Sequence, residues 1–266
     1  MSLLGANLKT GGPYFGLANM YASPGSIERI GADWDWIWVD GQHGEMGEDD
    51  VLALVRACDL VQRPALVRVP SHEAGRIGRT LDTGASGVIV PLVNTPAQAR
   101  AIVLAAKFPP LGERSFGGRR AIDRHGRQYA ATANHDTLLV AQIETPDALR
   151  QAEAIAAEPG IDALFYGGDD VMLRLGRKMT EARPLDELEQ DLLTVGNACR
   201  NHGKLAVMVA GNPGVIALAM RCGFQLIVAG GDVPFLAESS RRAIADARRA
   251  AQSAPPGNPA AAKSLY

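Results

Sequence analysis

Glu144 and Asp170 each stand where an apolar run gives way to a turn, in Gln142-Ile143-Glu144-Thr145 and in Gly167-Gly168-Asp169-Asp170. Two carboxylates brought together at neighbouring strand ends repel unless a proton or a cation lies between them. A hard divalent cation with oxygen ligands meets that need, and a carboxylate set favours Mg2+ or Mn2+. Two protein ligands leave about four of six positions for a bidentate substrate and waters. The plainer alternative pairs Glu144 with a core arginine and lets Asp170 cap the next helix. Spacing alone weighs the two about equally.

Other polar residues occupy similar positions. Arg68 stands inside Ala65-Leu66-Val67-Arg68-Val69, where a charge is costly to bury without a partner. His43 follows Asp40 in Asp40-Gly41-Gln42-His43-Gly44. An imidazole suits proton transfer near neutral pH, although a turn histidine on the surface is the commoner case. Asp82, in Leu81-Asp82-Thr83-Gly84-Ala85, could orient His43 or simply end a helix. Trp34, Trp36 and Trp38 alternate as a packing stripe would. Arg114, Arg119, Arg120, Arg124 and Arg127 read as a solvated face or subunit contact, with a carboxylated or phosphorylated substrate as the minority option. Few aromatics interleave, which argues against nucleic acid.

The elements that must position these residues are legible as short apolar runs. They are Tyr14–Leu17, Trp36–Val39, Ala65–Val69, Gly87–Val90, Leu138–Ile143, Ala163–Tyr166, Leu205–Val209 and Leu226–Val228. Continuous apolar strands imply burial on both faces, as in parallel sheets. Helical stretches intervene at Asp49–Val61, Thr95–Ala106, Pro146–Ala157, Pro184–His202, Asn212–Arg221 and Val233–Ala251. Asp49-Asp50, Thr95-Pro96, Thr145-Pro146 and Asn212-Pro213 provide their starts. Eight strand–helix units predict a (β/α)8 TIM barrel, with chemistry at the C-terminal ends of the strands. A doubly wound open sheet is the alternative, and the first βα connection lacks its G-x-G-x-x-G.

Composition sets the outer bounds. The chain has 266 residues with 27 Lys+Arg against 29 Asp+Glu, a net charge of −2, and 47% hydrophobic residues. These values exclude wholesale disorder, collagen and coiled coil, and disfavour a nucleic-acid-coating or polybasic membrane-surface protein. No apolar run reaches the roughly 18 residues of a membrane span, and no signal peptide is visible. Cys58, Cys199 and Cys222 form neither a metal spacing nor a disulfide framework, which fits a reducing cytoplasm. A single domain is expected over 1–250, followed by a mobile Pro/Ala-rich tail at 251–266 that could dock on a neighbouring subunit.

Taken in order, the motifs resemble the HpcH/HpaI family of divalent-metal-dependent, class II pyruvate aldolases, from about Phe15 to Ala245. The match runs through Gly31-Ala32-Asp33-Trp34, Val39-Asp40-Gly41-x-His43-Gly44, the V-R-V-P at Arg68, Leu81-Asp82-x-Gly84-Ala85 and Val90-Pro91. It continues through Pro109-Pro110-Leu111-Gly112-x-Arg114 with Gly117, Tyr129-x-x-x-Ala133-Asn134, Gln142-Ile143-Glu144-Thr145 and Gly167-x-x-Asp170. The resemblance implies a barrel of the phosphoenolpyruvate/pyruvate-domain type. It makes Glu144 and Asp170 the ligands of Mg2+ or Mn2+, with Co2+, Ni2+ or Zn2+ as alternatives. Arg68 would stabilise the enolate oxygen, and His43, oriented by Asp82, would handle protons through a metal-bound water. Asp40 would hold Arg68 and His43. Gln142 would bind substrate, and Gly167, Gly168 and Asp169 would offer backbone N–H groups to its carboxylate. A homohexamer with exchanged C-terminal helices is implied as well. Two departures stand out: many members have Glu where this chain has Gln42, and Pro then Ala or Asn where it has Gly168-Asp169.

Enolate chemistry agrees with this set, because a cation and Arg68 would stabilise the charge left when a carbon–carbon bond next to a carbonyl breaks. A Schiff-base aldolase needs a strand-end lysine, and Lys9, Lys107, Lys178, Lys204 and Lys263 all lie elsewhere. The expected activity is reversible cleavage of a 4-hydroxy-2-oxo acid into pyruvate, or hydroxypyruvate, and an aldehyde. A 2-oxo-acid decarboxylase or CoA-ester lyase on the same scaffold, and a non-catalytic 2-oxo-acid binding protein, are the alternatives. The arginines of 119–127 raise an acidic or polyhydroxylated aldehyde as the acceptor, with a subunit contact at least as good a reading.

Overall fold

Each of the eight apolar runs forms a strand: β1 (Tyr14–Asn19), β2 (Trp36–Asp40), β3 (Ala65–Arg68), β4 (Gly87–Val90), β5 (Leu138–Ile143), β6 (Ala163–Tyr166), β7 (Leu205–Val209) and β8 (Leu226–Gly231). In the computed structural model, which describes residues 8–9, 12–181 and 183–253, all eight pair in parallel and in chain order. β8 returns to β1, so the sheet closes into a barrel and the open-sheet alternative falls.

Around the barrel lie α1 (Pro24–Ile30), α2 (Glu48–Leu60), α3 (Ala74–Asp82), α4 (Pro96–Ala106), α5 (Arg119–His125), α6 (Ala130–Asp136), α7 (Pro146–Arg150), α8 (Ala152–Ala156), α9 (Gly168–Arg174), α10 (Leu185–Asn201), α11 (Pro213–Arg221) and α12 (Asp232–Ser253). Three of the four start signals act as expected; at α2 the cap position falls on Gly47, ahead of Asp49-Asp50, and Asp50 accepts from the Gly47 N–H. Thr95, Thr145 and Asn212 accept from the N–H groups of Gln98, Ala148 and Gly214, each ahead of a proline. The stretch expected as one helix from Pro146 to Ala157 divides at Gln151 into α7 and α8.

Strand parity decides which side chains reach the interior. Trp36, Trp38, Leu66, Leu138, Val140, Ala163 and Phe165 pack together inside the barrel, while Val88, Val90, Leu139, Ala141, Leu164 and Tyr166 face the helices. Stepping by two along the inward set leads to Asp40, Arg68 and Gln142 at the C-terminal mouth. One glycine makes this filling feasible. A Cβ on Gly16 would lie 2.4 Å from the Trp36 indole, so β1 gives way where β2 carries its largest side chain.

α12 differs from the other helices. Of its 22 residues only Asp232 is buried. The Asp232 carboxylate accepts from the N–H groups of Met20 and Tyr21 and from Asn19 Nδ2, fixing the helix start to the end of β1. Beyond it, Val233, Phe235, Leu236 and Ile244 stay exposed. The helix passes the expected domain boundary at 250 and takes in residues 251–253. The rest of the expected tail, 254–266, lies outside the described residues. No helix of the described residues is long and apolar enough to cross a membrane.

Candidate active site

Arg68, at the end of β3, is 7% exposed. Its Nε donates to Asp40 Oδ1 at 2.8 Å and its Nη2 to Asp40 Oδ2, a two-point grip between neighbouring strands. The guanidinium also lies over the Trp38 ring, 4.7 Å from its centroid. Asp40, wholly buried, further accepts from the backbone N–H groups of Gln42 and His43. One aspartate thus sets both the arginine and the turn bearing the histidine. The expectation that a buried Arg68 needs a partner is met by Asp40, not by Glu144.

Glu144 follows β5 and is 2% exposed. Its Oε1 accepts from Leu92 N–H at 2.6 Å and its Oε2 from Gln142 Nε2 at 2.6 Å. Burial pushes its pKa up and nearby Asp170 adds to the rise, while the Leu92 N–H, Arg68 and Gln142 oppose it. Leu92 donates from a left-handed backbone, φ 54°, a conformation costly for a leucine. The loop is held there by Asn94, which donates to Leu92 O and accepts from the Thr145 hydroxyl. The strand-end acid therefore has its geometry fixed by the preceding βα loop.

Asp170 lies in the first turn of α9, half exposed and paired with Arg174 one turn on. The plainer alternative, that Asp170 caps this helix, does not hold: the cap position is Gly167 and no side chain caps it, and Asp170 faces the same cavity as Glu144. That cavity, of about 470 Å3, also takes in His43, Arg68, Gln142 and the 167–169 turn. A Cβ on Gly167 would lie 2.7 Å from Glu144 Cβ, so this turn passes directly over the acid. Gly167 spends its own N–H on Ile143 O. The N–H groups of Gly168 and Asp169, in the first turn of α9, have no intrahelical acceptor.

The site suits a divalent cation by its donor set. Glu144 and Asp170 supply two carboxylates, and Gln142 Oε1 is a buried oxygen with no hydrogen-bond partner. Among the described residues no three His, Cys, Asp or Glu side chains gather as a metal cluster. A cation here would have few protein ligands and room for substrate. The pairing of Asp170 with Arg174 is a surface ion pair, worth about 0–1 kcal/mol, and opposes this little.

The other expected residues divide. His43 is exposed, and among the described residues its ring meets no hydrogen-bond partner. Asp82 is not among the residues that line the cavity with it. It ends α3 and accepts from Arg114 Nη2 at 2.8 Å. It lines another cavity, of about 690 Å3, among α2, α3 and α5, which Gly41 and Arg68 also border. Arg119, Arg120 and Arg124 line that second cavity too, with Arg119 on Asp123 and the other two sharing Asp59. Arg114 stacks on Phe108 and Arg127 on Phe116. No lysine lines the cavity at the barrel mouth among the described residues. The three cysteines are buried free thiols, and burial pushes the pKa of each upward, away from the thiolate.

Several wall residues carried no sequence signal of function. Trp38 and Phe165 form an aromatic floor with centroids 5.5 Å apart. Tyr166, Met172, Met179, Arg183, Leu188, Met208 and Val215 extend the wall outward. The inward parity of Trp38 and Phe165 could have marked them. Arg183 lies far along the chain in a loop, where only the fold reveals its place.

The model of the HpcH/HpaI aldolase/citrate lyase family matches residues 22–217. Over 143 residues the chain is 45% identical to a 4-hydroxy-2-oxovalerate aldolase of Novosphingobium aromaticivorans, covering 53% of this chain and 55% of that protein. It is 32% identical over 235 residues to a hydroxypyruvate/pyruvate aldolase of Rhizorhabdus wittichii, covering 87% of this chain and 94% of the relative. The fold is similar to the crystal structure of an HpcH/HpaI aldolase/citrate lyase family protein from Burkholderia cenocepacia, with a TM-score of 0.83 at 29% identity over 93% of this chain and 100% of that one.

Proposed function

The chain belongs to the HpcH/HpaI aldolase/citrate lyase family, and from that premise we propose that it is a metal-dependent aldolase. It reversibly cleaves a 4-hydroxy-2-oxo acid into pyruvate, or hydroxypyruvate, and an aldehyde. The observation that carries this reading is the meeting of Glu144, Asp170 and the buried Arg68 in one cavity at the barrel mouth. Lysine-based chemistry finds no support there.

Glu144 and Asp170 would hold the cation, Mg2+ or Mn2+ by the hardness of the donors. When bound, the cation supplies Lewis-acid polarisation of the 2-oxo group. Arg68 is held with two of its nitrogens on Asp40, so Nη1 is left to meet the oxygen on which enolate charge develops as the C3–C4 bond breaks. The free N–H groups of Gly168 and Asp169 face the substrate carboxylate, and Gln142 lies beside Glu144 to bind the same acid. Gly167 contributes clearance rather than a donor. His43, which lines the same cavity, would take and return the 4-hydroxyl proton. Because none of the described residues orients its ring, Asp82 would do so from a second copy of the chain.

The exposed apolar face of α12 supports an oligomer in which this helix packs on another subunit, with a hexamer as the assembly proposed. Three free thiols fit a reducing cytoplasm. The decisive experiment is pyruvate release from 4-hydroxy-2-oxo acids, followed by a coupled lactate dehydrogenase assay with and without Mn2+ or Mg2+. Turnover should vanish with EDTA, and Glu144→Ala or Asp170→Ala should remove metal binding in calorimetry. Full activity in both variants would overturn the ligand assignment.

A further inference from the structure

The cavity at the barrel mouth joins the polar set around Glu144 to a largely apolar wall. Past Gly168 it reaches over the ends of β6 and β7 to their helix-facing side, where Met172, Met179, Leu188, Met208 and Val215 form the wall together with Glu181 and Arg183. This outer arm exists because of a local exchange of bulk. A Cβ on Gly168 would lie 3.0 Å from Tyr166 Cε1 and 3.4 Å from both Cζ and the hydroxyl oxygen. The turn therefore rests on the Tyr166 ring, in the place where many family members carry proline. The ring itself is pinned from behind. Its hydroxyl donates to Asp191 Oδ2 at 3.0 Å and accepts from Arg183 Nη1, and Arg183 pairs with Asp191 at 2.6 Å.

The charges along this wall are already committed. Arg68 is bound to Asp40 and Arg183 to Asp191, and Arg183 Nε, though lacking an acceptor, is closed off from solvent. Glu181 accepts from Lys178, while Asp169 and Asp170 add negative charge at the inner end. The arginines that raised the prospect of an acidic acceptor, Arg119, Arg120 and Arg124, face the other cavity. Among the described residues, an anionic substituent in the arm would find acids and no cation without an acid partner, and a polyhydroxylated one would find few unpaired partners.

We propose that the outer arm receives the substituent of the acceptor aldehyde and selects an uncharged, apolar one, a short alkyl chain or a single aromatic ring. Tyr166 is the specificity-determining residue at its floor, and Arg183 and Asp191 are positioning residues that hold the ring. This rests on the aldolase reading, under which Glu144, Asp170, Arg68 and the 167–169 turn are occupied by the 2-oxo acid. The aldehyde carbon must then meet it from a side that stays open, and the arm is continuous with the cavity that holds the acid. Three methionines suit this task, since their flexible thioethers adapt to varied apolar shapes.

The test compares aldehydes of matched size as partners for pyruvate, by kcat/KM with Mn2+. Butanal and succinic semialdehyde differ only in a methyl against a carboxylate, and benzaldehyde and glyceraldehyde extend the set. Butanal should exceed succinic semialdehyde by about tenfold or more, because burying an unpaired charge is costly. Met179→Arg places a cation in the arm at a half-exposed position and should move that ratio toward succinic semialdehyde by about tenfold. Tyr166→Phe keeps the ring but cuts its tie to Asp191 and Arg183. It should raise KM for benzaldehyde more than it lowers kcat, and an equal loss on all aldehydes would mark a merely structural role. A preference for succinic semialdehyde or glyceraldehyde, or a Met179→Arg ratio equal to wild type, overturns the proposal. Exchange of the pyruvate methyl protons for deuterium, with metal and no aldehyde, reads the donor half alone. Exchange without the apolar preference sinks only the assignment of the arm, whereas absence of exchange sinks the aldolase reading and this inference with it.

Discussion

Arg68 illustrates how much of this site is decided by single side chains. A guanidinium this buried is tolerable because two of its nitrogens meet one carboxylate and its face rests on an indole. Those contacts also orient it, leaving one edge for the substrate. Lysine keeps the charge but has no planar fork, so it can neither grip Asp40 at two points nor stack on Trp38 in the same way. Arg68→Lys should therefore lower kcat by about 10²-fold or more, while the thermal unfolding midpoint moves by only a few degrees. Wild-type turnover in that variant would show that charge alone suffices. Asp40→Asn should act through the same pair. It leaves a buried arginine against a neutral amide, so loss of turnover should be accompanied by destabilisation of about 3–5 kcal/mol in urea titrations.

At the scale of elements, the barrel interior is a negotiation between strands. Gly16 exists for Trp36, and the two should be energetically coupled. Gly16→Ala should cost about 1–3 kcal/mol by overpacking, Trp36→Leu should cost a similar amount through the space it vacates, and the double variant should cost less than their sum. Additive losses in denaturant unfolding would show that the strands shift apart freely. Much of this level is legible without coordinates. Apolar runs mark every strand, and Thr-Pro and Asn-Pro mark helix starts, because both signals are local. Stepping by two from Trp36 through Trp38 already leads to Asp40. Other features depend on contacts distant in sequence. No local pattern predicts a left-handed leucine at 92, since its cause is the acid of Glu144 and the brace of Asn94 and Thr145. Asp82 turns to Arg114, 32 positions away, which spacing along one element does not reveal. The short helices α1, α3, α5, α6 and α9 offer too few turns for a period to stand out, and Arg183 reaches the site only because its loop folds back over β6.

The whole molecule separates stability from chemistry along the barrel axis. At the C-terminal mouth polar atoms are left unpaired, while at the opposite end charges are satisfied in depth. Lys107, 2% exposed, donates to Asn134 O at 3.0 Å, Thr137 O at 2.8 Å and Asp162 Oδ2 at 2.7 Å. Asp162 also accepts from Lys9 and from Leu139 N–H, just ahead of β6. Burial lowers the pKa of Lys107, and Asp162 opposes that fall. A lysine whose folded pKa is lowered binds its proton less tightly than in the unfolded chain. Stability therefore rises with pH across the window between the lowered value and the usual ~10.4. Asp162→Asn removes the main opposing charge, so it should lower the folded pKa further and widen that window. At neutral pH the variant should lose about 3–5 kcal/mol, the cost of an uncompensated buried charge, with no selective effect on the site at the far end. As pH climbs toward 10 the lysine sheds its proton in the folded variant first, so the gap to wild type should narrow. Lys107→Met, which has no charge to compensate, should show no such narrowing. Urea titrations of the three proteins between pH 7 and about 10 decide the matter, and a gap that stays constant or widens would place the stabilising role of Asp162 in its Leu139 hydrogen bond instead.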